Sequence, residues 1–126
     1  MIEDNPGDAL LVQEALREHR INCDLTIVAD GEEAILLFES IDSDPNSPSP
    51  SLVLLDLNLP KRSGHEILDR IRQSTRCSAT PVMIVTSSQA EADLAQMTRL
   101  GVAGYFHKPA SFEAFMKLGA LVKNLL

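Results

Sequence analysis

The sequence predicts an α/β fold built on a five-stranded, doubly wound parallel sheet. Short apolar runs with strand character alternate five times with segments whose apolar residues recur at helical spacing. Two of these runs, 52–55 and 82–85, contain no polar residue, which is typical of strands buried on both faces of a parallel sheet. Right-handed crossover connections then place helices on both sides of that sheet.

Two helices and a strand are predicted before residue 50. The first helix follows the turn at residues 5–8, and the second runs from Glu32 to Ser40. Between them, residues 25–28 form a short β-rich run. Residues 42–51 are rich in Ser, Pro and Asp, which predicts an exposed loop. The inward faces of the two helices are predicted to consist of Leu11, Val12, Ala15, Leu16 and His19, and of Ala34, Leu37, Phe38 and Ile41.

The alternation continues to the end of the chain. After the strand at 52–55, the predicted elements are a helix from His65 to Gln73, a strand at 81–86, a helix from Gln89 to Leu100, a strand at 104–107 and a last helix. Ser111 caps this last helix, and Gly119 inside it costs roughly 1 kcal/mol relative to Ala, which suggests close packing at an interface. Its inward face is predicted to contain Phe112, Phe115, Leu118 and Val122.

The predicted first strand is abnormally short. Only Met1 and Ile2 precede Glu3, and a central strand cannot be two residues long. We therefore expect one domain over residues 1–126 with a truncated first strand, in a chain that natively starts upstream or whose start was trimmed or mis-set.

Composition excludes several classes of function. A net charge of −7 without any basic run argues against a nucleic-acid-binding surface. No apolar stretch approaches the length of a membrane span, and Glu3 and Asp4 stand where a signal peptide would be basic. Cys23 and Cys77 lack metal-like spacing, so we expect two reduced thiols in a cytoplasmic protein.

Charged and hydroxyl side chains follow four of the predicted strands. Asp56 comes directly after the run 52–55, and Glu3 and Asp4 follow the first strand. Thr86 is the last residue of the fourth strand, and Lys108 follows the fifth. Because the carboxyl ends of parallel strands form the ligand-binding edge of open α/β sheets, we expect these side chains to converge.

This set of residues suits phosphoryl transfer. Three converging carboxylates repel one another unless a hard cation such as Mg²⁺ binds them. Asp56 is placed to act as a nucleophile toward a phosphoryl group, and Lys108 and the Thr86 hydroxyl to contact its oxygens. Each residue also has a structural interpretation: Glu3 and Asp4 as helix-dipole acids, Asp56 as a turn residue, Thr86 as a β-former and Lys108 as a solvent-facing cation.

The chain resembles the receiver domains of two-component response regulators over essentially its whole length. The resemblance rests on Glu3-Asp4 before Asn5, on Asp56 followed at four-residue steps by Pro60 and Gly64, on Thr86 after Val-Met-Ile-Val, and on Lys108-Pro109. The stretches 3–8, 54–61 and 86–89 are most similar to the single-domain receivers that serve cyanobacterial and bacterial phytochromes and related sensor kinases.

The resemblance implies the flavodoxin-like receiver fold with strand order 2-1-3-4-5. It implies that Asp56 is the phosphoacceptor for a sensor histidine kinase, with a phytochrome as a candidate, and that Lys108 binds the phosphoryl group. Mg²⁺ (or Mn²⁺) would be bound by Asp4 directly, by Glu3 through water, by Asp56 and by the backbone carbonyl of Asn58.

The resemblance also implies a conformational switch. Thr86 would move to hydrogen-bond the phosphoryl group and Tyr105 would follow inward. This would alter the surface made by the fourth helix, fifth strand and fifth helix of the predicted order, which are the helix at 89–100, the strand at 104–107 and the last helix. We call this surface the switch face. It would carry the signal to a downstream protein or pair two copies as a homodimer, with no nucleic acid or membrane involved. The Lys108-Pro109 bond is expected to be cis.

Two other functions occur on similar folds, and the sequence disfavours both. A phosphohydrolase of the haloacid-dehalogenase type starts from a similar Asp but needs a second Asp two residues later, where this chain has Asn58. A flavin or nucleotide module needs a first loop that cradles phosphate, and Glu3 and Asp4 would repel phosphate there.

Overall fold

The computed structural model describes residues 1–87, 95 and 98–126. The named elements within these residues are α1 (Pro6–Glu18), α2 (Gly31–Ser43), β1 (Val53–Leu55), α3 (Gly64–Gln73), β2 (Val82–Thr86), β3 (Gly104–His107), α4 (Phe112–Met116) and α5 (Leu118–Leu125). The helix predicted from Gln89 to Leu100 lies largely outside the described residues. In the part of the chain that the structure describes, no helix combines the length and apolar character needed to cross a membrane.

The sheet confirms the predicted fold class and its strand order. β1, β2 and β3 are adjacent and parallel, with Leu55 opposite Ile84 and Ile84 opposite Tyr105. Ile2 forms parallel bridges to Val28 on one side and to Leu55 on the other. The backbone order across the sheet is therefore Val28, Ile2, β1, β2, β3, which is the order 2-1-3-4-5.

The second predicted strand, at 25–28, is wrong as a regular strand, since it is reduced to one bridging residue, Val28. The first strand, which was expected to be truncated, pairs through Ile2 alone. Val28 donates to the Met1 carbonyl at 2.9 Å and accepts from the Glu3 amide at 2.9 Å. Thr26 accepts from the Met1 amine at 2.7 Å. Within the run at 25–28, only Val28 forms a bridge, and its partner is Ile2.

The helices pack on both faces of the sheet, as a doubly wound fold requires. Side chains alternate along each strand, so Val53 and Leu55 point to one face and Leu54 to the other. One buried cluster contains Ile2 and the sheet face of Val53 and Leu55, and it packs against α2 and α3. The other joins the opposite face to α1, α4 and α5. Both clusters are largely aliphatic, consistent with an aromatic content of only 4%.

Three local predictions near the C-terminus are wrong. The last helix is interrupted at Lys117, which ends α4 and precedes α5. Phe112 is 57% exposed rather than inward, whereas Phe115 is buried and meets Phe106 edge to face. The Lys108-Pro109 bond, which was expected to be cis, is trans, and no cis peptide bond occurs in the described residues. Trans is the lower-energy isomer by about 0.5–1 kcal/mol.

The guanidinium group of Arg72, near the end of α3, forms hydrogen bonds to two loops. Arg72 donates to the carbonyls of Ser78 and Thr80 at 3.2 and 2.9 Å. It also donates to the carbonyls of Leu100 and Gly101, both at 3.0 Å. Arg72 thus joins the approach to β2 with the approach to β3, a role that no sequence pattern indicates.

Replacing Arg72 with Met is expected to lower the free energy of unfolding by about 2 kcal/mol, because four carbonyls lose a charged donor. Lysine at this position keeps the charge but not the planar fork, so Arg72→Lys is expected to be intermediate. Urea unfolding measures both variants. The control is Arg17→Met, which removes an exposed pair with Glu14 and should change stability little. Equal effects of the Arg72 and Arg17 substitutions would contradict the prediction.

Candidate functional site

The sheet brings Glu3 and Asp56 together through the backbone of Ile2. Ile2 donates to the Leu54 carbonyl at 2.8 Å and accepts from the Asp56 amide at 3.1 Å. Glu3 and Asp56 therefore leave neighbouring positions of the sheet at the same edge, and both are buried, at 3% and 6% exposure. Asp4 is exposed beside them, and carboxylate oxygens of all three residues lie within 4.8 Å of one another.

Lys108 reaches this cluster from β3. Its backbone amide donates to the Thr86 carbonyl at 2.9 Å, which continues the pairing of β2 with β3. Its ammonium group lies 2.6 Å from Glu3 Oε1, 2.9 Å from Asp8 Oδ2 and 3.0 Å from Asp56 Oδ2. A lysine ammonium has three hydrogens, so three carboxylates account for all of its donors. Burial and these contacts hold the side chain in one place.

Asp8 also belongs to the site, although it is not among the predicted site residues. It stands in the first turn of α1, which Asn5 caps by accepting from the amides of Gly7 and Asp8. Helical side chains lean toward the N-terminus of their helix, and this direction brings the Asp8 carboxylate to Lys108. Asp8 lies four residues after Asp4, in the first turn of a predicted helix, and this spacing could have identified it as a site residue.

The other predicted site residues take different positions. Thr86 is the last residue of β2 and is buried at the same edge of the sheet as Asp56. Asn58 is exposed, and its amide donates to Asp56 Oδ1 at 3.2 Å. Tyr105 lies apart from the carboxylates: it is 37% exposed, and its hydroxyl is 3.3 Å from the Thr98 hydroxyl. The structure thus groups Glu3, Asp4, Asp56 and Lys108, with Thr86 at the same edge.

Charge and burial act in opposite directions on this cluster. Burial raises the pKa of the Glu3 carboxyl to about 7, with the Asp56 charge adding to this effect and the hydrogen bond from Lys108 opposing it. Burial alone would lower the pKa of the Lys108 ammonium, but its hydrogen bonds to Asp8, Glu3 and Asp56 raise it above the ordinary value. Lys108 is therefore charged at neutral pH, whereas the Glu3 carboxyl binds a proton more readily than an ordinary glutamate.

The donor set fits a hard divalent cation. Glu3, Asp4 and Asp56 offer oxygen atoms only, at mutual distances that one ion can bridge. Asp4 is open to solvent, which leaves room for the water molecules that such ions retain.

Divalent-cation affinity at this cluster is expected to increase as the pH rises from about 6 to about 8. Protonation of Glu3, whose pKa is raised to about 7, removes a negative charge from the cluster, so cation binding weakens as the pH falls through that value. Titration with Mn²⁺, followed through the electron paramagnetic resonance of the free ion, measures the Kd at each pH. Glu3→Gln should flatten the dependence. A Kd in the unsubstituted chain that does not change across this range would contradict the prediction.

Comparison with known proteins agrees with this geometry. The chain matches the response regulator receiver domain family over residues 1–119. It is similar to response regulator Rcp1 of Synechocystis sp., with 36% identity over 118 residues, or 94% of this chain and 80% of that protein. The crystal structure of the Mn²⁺-bound form of Rcp1 is 35% identical, covering 98% of this chain and 88% of that one, with a TM-score of 0.85. The crystal structure of the phosphorylated cyanobacterial phytochrome response regulator RcpA is 32% identical over the same shares, with a TM-score of 0.86.

Proposed function

The chain belongs to the response regulator receiver domain family of two-component signal transduction, and on this premise we propose that Asp56 is its phosphoacceptor. The observation that carries the proposal is the buried Asp56 carboxylate, within 4.8 Å of two further acids and 3.0 Å from the Lys108 ammonium. We propose that residues 1–126 form one receiver unit and that its phosphoryl donor is a phosphohistidine on a sensor histidine kinase. The likeness to Rcp1 and RcpA makes a phytochrome kinase the first candidate.

The reaction is a transfer between two side chains. An oxygen of the Asp56 carboxylate attacks phosphorus, the bond from phosphorus to the kinase imidazole breaks, and an acyl phosphate forms as the imidazole leaves with the bonding electron pair. Asp4, Glu3, Asp56 and the Asn58 carbonyl would hold Mg²⁺, which neutralises charge on the phosphoryl oxygens. Lys108 is already 3.0 Å from Asp56, so it can bind a phosphoryl oxygen after a small movement.

The receiver itself supplies the groups that form and hydrolyse the acyl phosphate. All of the residues named for transfer belong to this chain, so a small phosphodonor should suffice in place of the kinase. Asn58 is exposed two residues after Asp56, and it is small enough to let water approach the phosphorus. We expect a phosphorylated lifetime of minutes, and a half-life of many hours would contradict this.

The signal then leaves by protein contact. Thr86 borders the site and Tyr105 lies on the switch face, so movement of the first toward the phosphoryl group and of the second inward would change that face. A downstream protein or a second copy of the chain would bind there, and a paired switch face would give a symmetric homodimer. Two cysteines without a disulfide suit work in the cytoplasm.

The test is the intact mass of the protein after incubation with acetyl phosphate and Mg²⁺. We expect one phosphoryl adduct, which is lost when Mg²⁺ is chelated and absent in Asp56→Asn. The matched control is Asp69→Asn, an exposed aspartate on α3 whose loss should leave the adduct unchanged. No adduct on the folded chain, or an adduct that persists in Asp56→Asn, would refute the assignment.

A further inference from the structure

The loop that follows Asp56 packs directly against the start of α2. Its residues 57–63 connect β1 with α3 and contain Asn58, the proposed carbonyl ligand of the cation. At the far side of the loop, the Gly31 amide donates to the Pro60 carbonyl at 3.3 Å, and the Arg62 amide donates to the same carbonyl at 2.8 Å. α2 thus supplies a backbone partner to a loop that is separated from it by about 30 residues of sequence.

Gly31 permits this approach because it has no side chain. A Cβ atom there would lie 2.8 Å from the Arg62 carbonyl oxygen and 3.0 Å from the Arg62 Cα. These are backbone atoms, so they cannot move aside as the end of a flexible side chain can. Gly31 is also the first residue of α2, immediately after the N-cap Asp30, and its own position is fixed by the helix. A methyl group at Gly31 must therefore displace the loop.

Ion pairs also join the loop to α2, but they contribute less to its position than the close contact at Gly31. Lys61 lies 3.5 Å from Asp30, and Arg62 lies 3.3 Å from Glu32 and 3.1 Å from Glu66. The Arg62 side chain is 44% exposed and its partners about half exposed, and such pairs are each worth about 0–1 kcal/mol. Lys61 adopts a left-handed backbone conformation with φ of 69°, which non-glycine residues seldom do. The close backbone contact at Gly31 therefore constrains the loop more tightly than these exposed ion pairs do.

We infer that Gly31 is a positioning residue for the divalent-cation site, acting through the 57–63 loop on Asn58 and on the Asp56 carboxylate that accepts from the Asn58 amide. This inference rests on the proposed function, since it concerns the same cation. The start of α2 provides no ligand of its own, yet it sets the placement of the loop that provides one. Displacing groups that orient a ligand typically costs 10–100-fold in metal affinity.

The experiment compares Mn²⁺ affinity in two Gly→Ala variants, by electron paramagnetic resonance of the free ion and displacement by Mg²⁺. Gly31→Ala is expected to raise the Kd roughly 10-fold or more. The matched control is Gly119→Ala, since Gly119 also packs against backbone, near the end of α1 opposite Asp8. Eleven residues of helix separate Asp8 from His19, or about 16 Å, so the control should bind Mn²⁺ within twofold of the unsubstituted chain even if its Tm falls.

A second variant acts on the loop from its solvent side. Lys61→Pro is incompatible with a φ of 69° and replaces no residue of α2 or of the core, although it removes the exposed pair with Asp30. It should therefore weaken Mn²⁺ binding in the same way. Lys61→Pro replaces Gly31→Ala in the experiment if Gly31→Ala does not fold. Unchanged affinity in Gly31→Ala, or in Lys61→Pro where only that variant folds, would overturn the inference while leaving the proposed function intact. Absence of Mn²⁺ binding by the unsubstituted chain would overturn both.

Discussion

Replacing Lys108 with Met is expected to destabilise the cation-free protein by about 3 kcal/mol or more, since removing one partner of a buried ion pair typically costs about 3–5 kcal/mol. Within the described residues, the recorded ion pairs of Glu3, Asp8 and Asp56 all go to this one ammonium group. Its side chain is only 9% exposed, so solvent compensates little for its loss. Methionine has a similar length and no charge, and it therefore isolates the electrostatic part of the change.

The same variant is expected to gain more stability from Mg²⁺ than the unsubstituted chain. A cation supplies the positive charge that the carboxylates have lost, and in the unsubstituted chain it must compete with Lys108 for Glu3 and Asp56. A ligand at 100 times its Kd stabilises the folded state by about 2.7 kcal/mol, which would offset most of the loss. Thermal unfolding with EDTA and with Mg²⁺ measures both effects.

The control for this comparison is Lys123→Met, which removes an exposed lysine from α5. It should leave the Tm and the response to Mg²⁺ nearly unchanged. If Lys108→Met were as stable as Lys123→Met in EDTA, the assignment of Lys108 as the internal counter-ion of the acidic cluster would be wrong.

Substituting Gly119 with Val is expected to lower the free energy of unfolding by about 3 kcal/mol or more, because overpacking a close contact costs about 1–3 kcal/mol and occasionally more. A Cβ at this position would lie 2.5 Å from the Ala15 carbonyl oxygen and 2.7 Å from His19 Cγ. α5 would have to move away from α1, and the 3.0 Å contact between His19 Nε2 and the Met116 carbonyl would be lost.

Gly119→Ala distinguishes helix propensity from packing. Gly119 is the second residue of α5, where alanine is favoured over glycine by at most about 1 kcal/mol, so propensity alone predicts stabilisation. The close contact with α1 predicts net destabilisation, smaller than that of valine. Urea unfolding of the two variants gives the order, and a Gly119→Ala protein more stable than the unsubstituted chain would show that the two helices can separate without cost.

The candidate site was largely predictable because its residues follow from the geometry of a parallel sheet. Glu3, Asp56 and Lys108 each come directly after a strand position, and such positions share one edge. Asp8 and Arg72 were missed for the opposite reason. Their partners lie 100 and up to 29 residues away in sequence, and no periodicity indicates how far a side chain reaches.

The errors in the fold have a common cause. Residues 25–28 have strand composition, yet a ladder needs a partner, and among these residues only Val28 forms a bridge, to Ile2. Phe112 fits the helical period of the last helix, but the period does not indicate where the packing partner ends, and the side chain is exposed. Strand and helix propensities are local, whereas pairing and burial depend on distant parts of the chain.

The two thiols of this molecule differ completely in their accessibility. Cys23 is exposed, whereas Cys77 lies in the core beside α3 with no exposed surface. A thiol reagent in native buffer therefore labels Cys23 directly, and it reaches Cys77 only in molecules that have opened. When closing is faster than labelling, the ratio of the Cys77 rate to the rate of a fully accessible thiol equals the opening equilibrium constant. The labelling rate of Cys77 therefore measures the opening of the core in the absence of any denaturant.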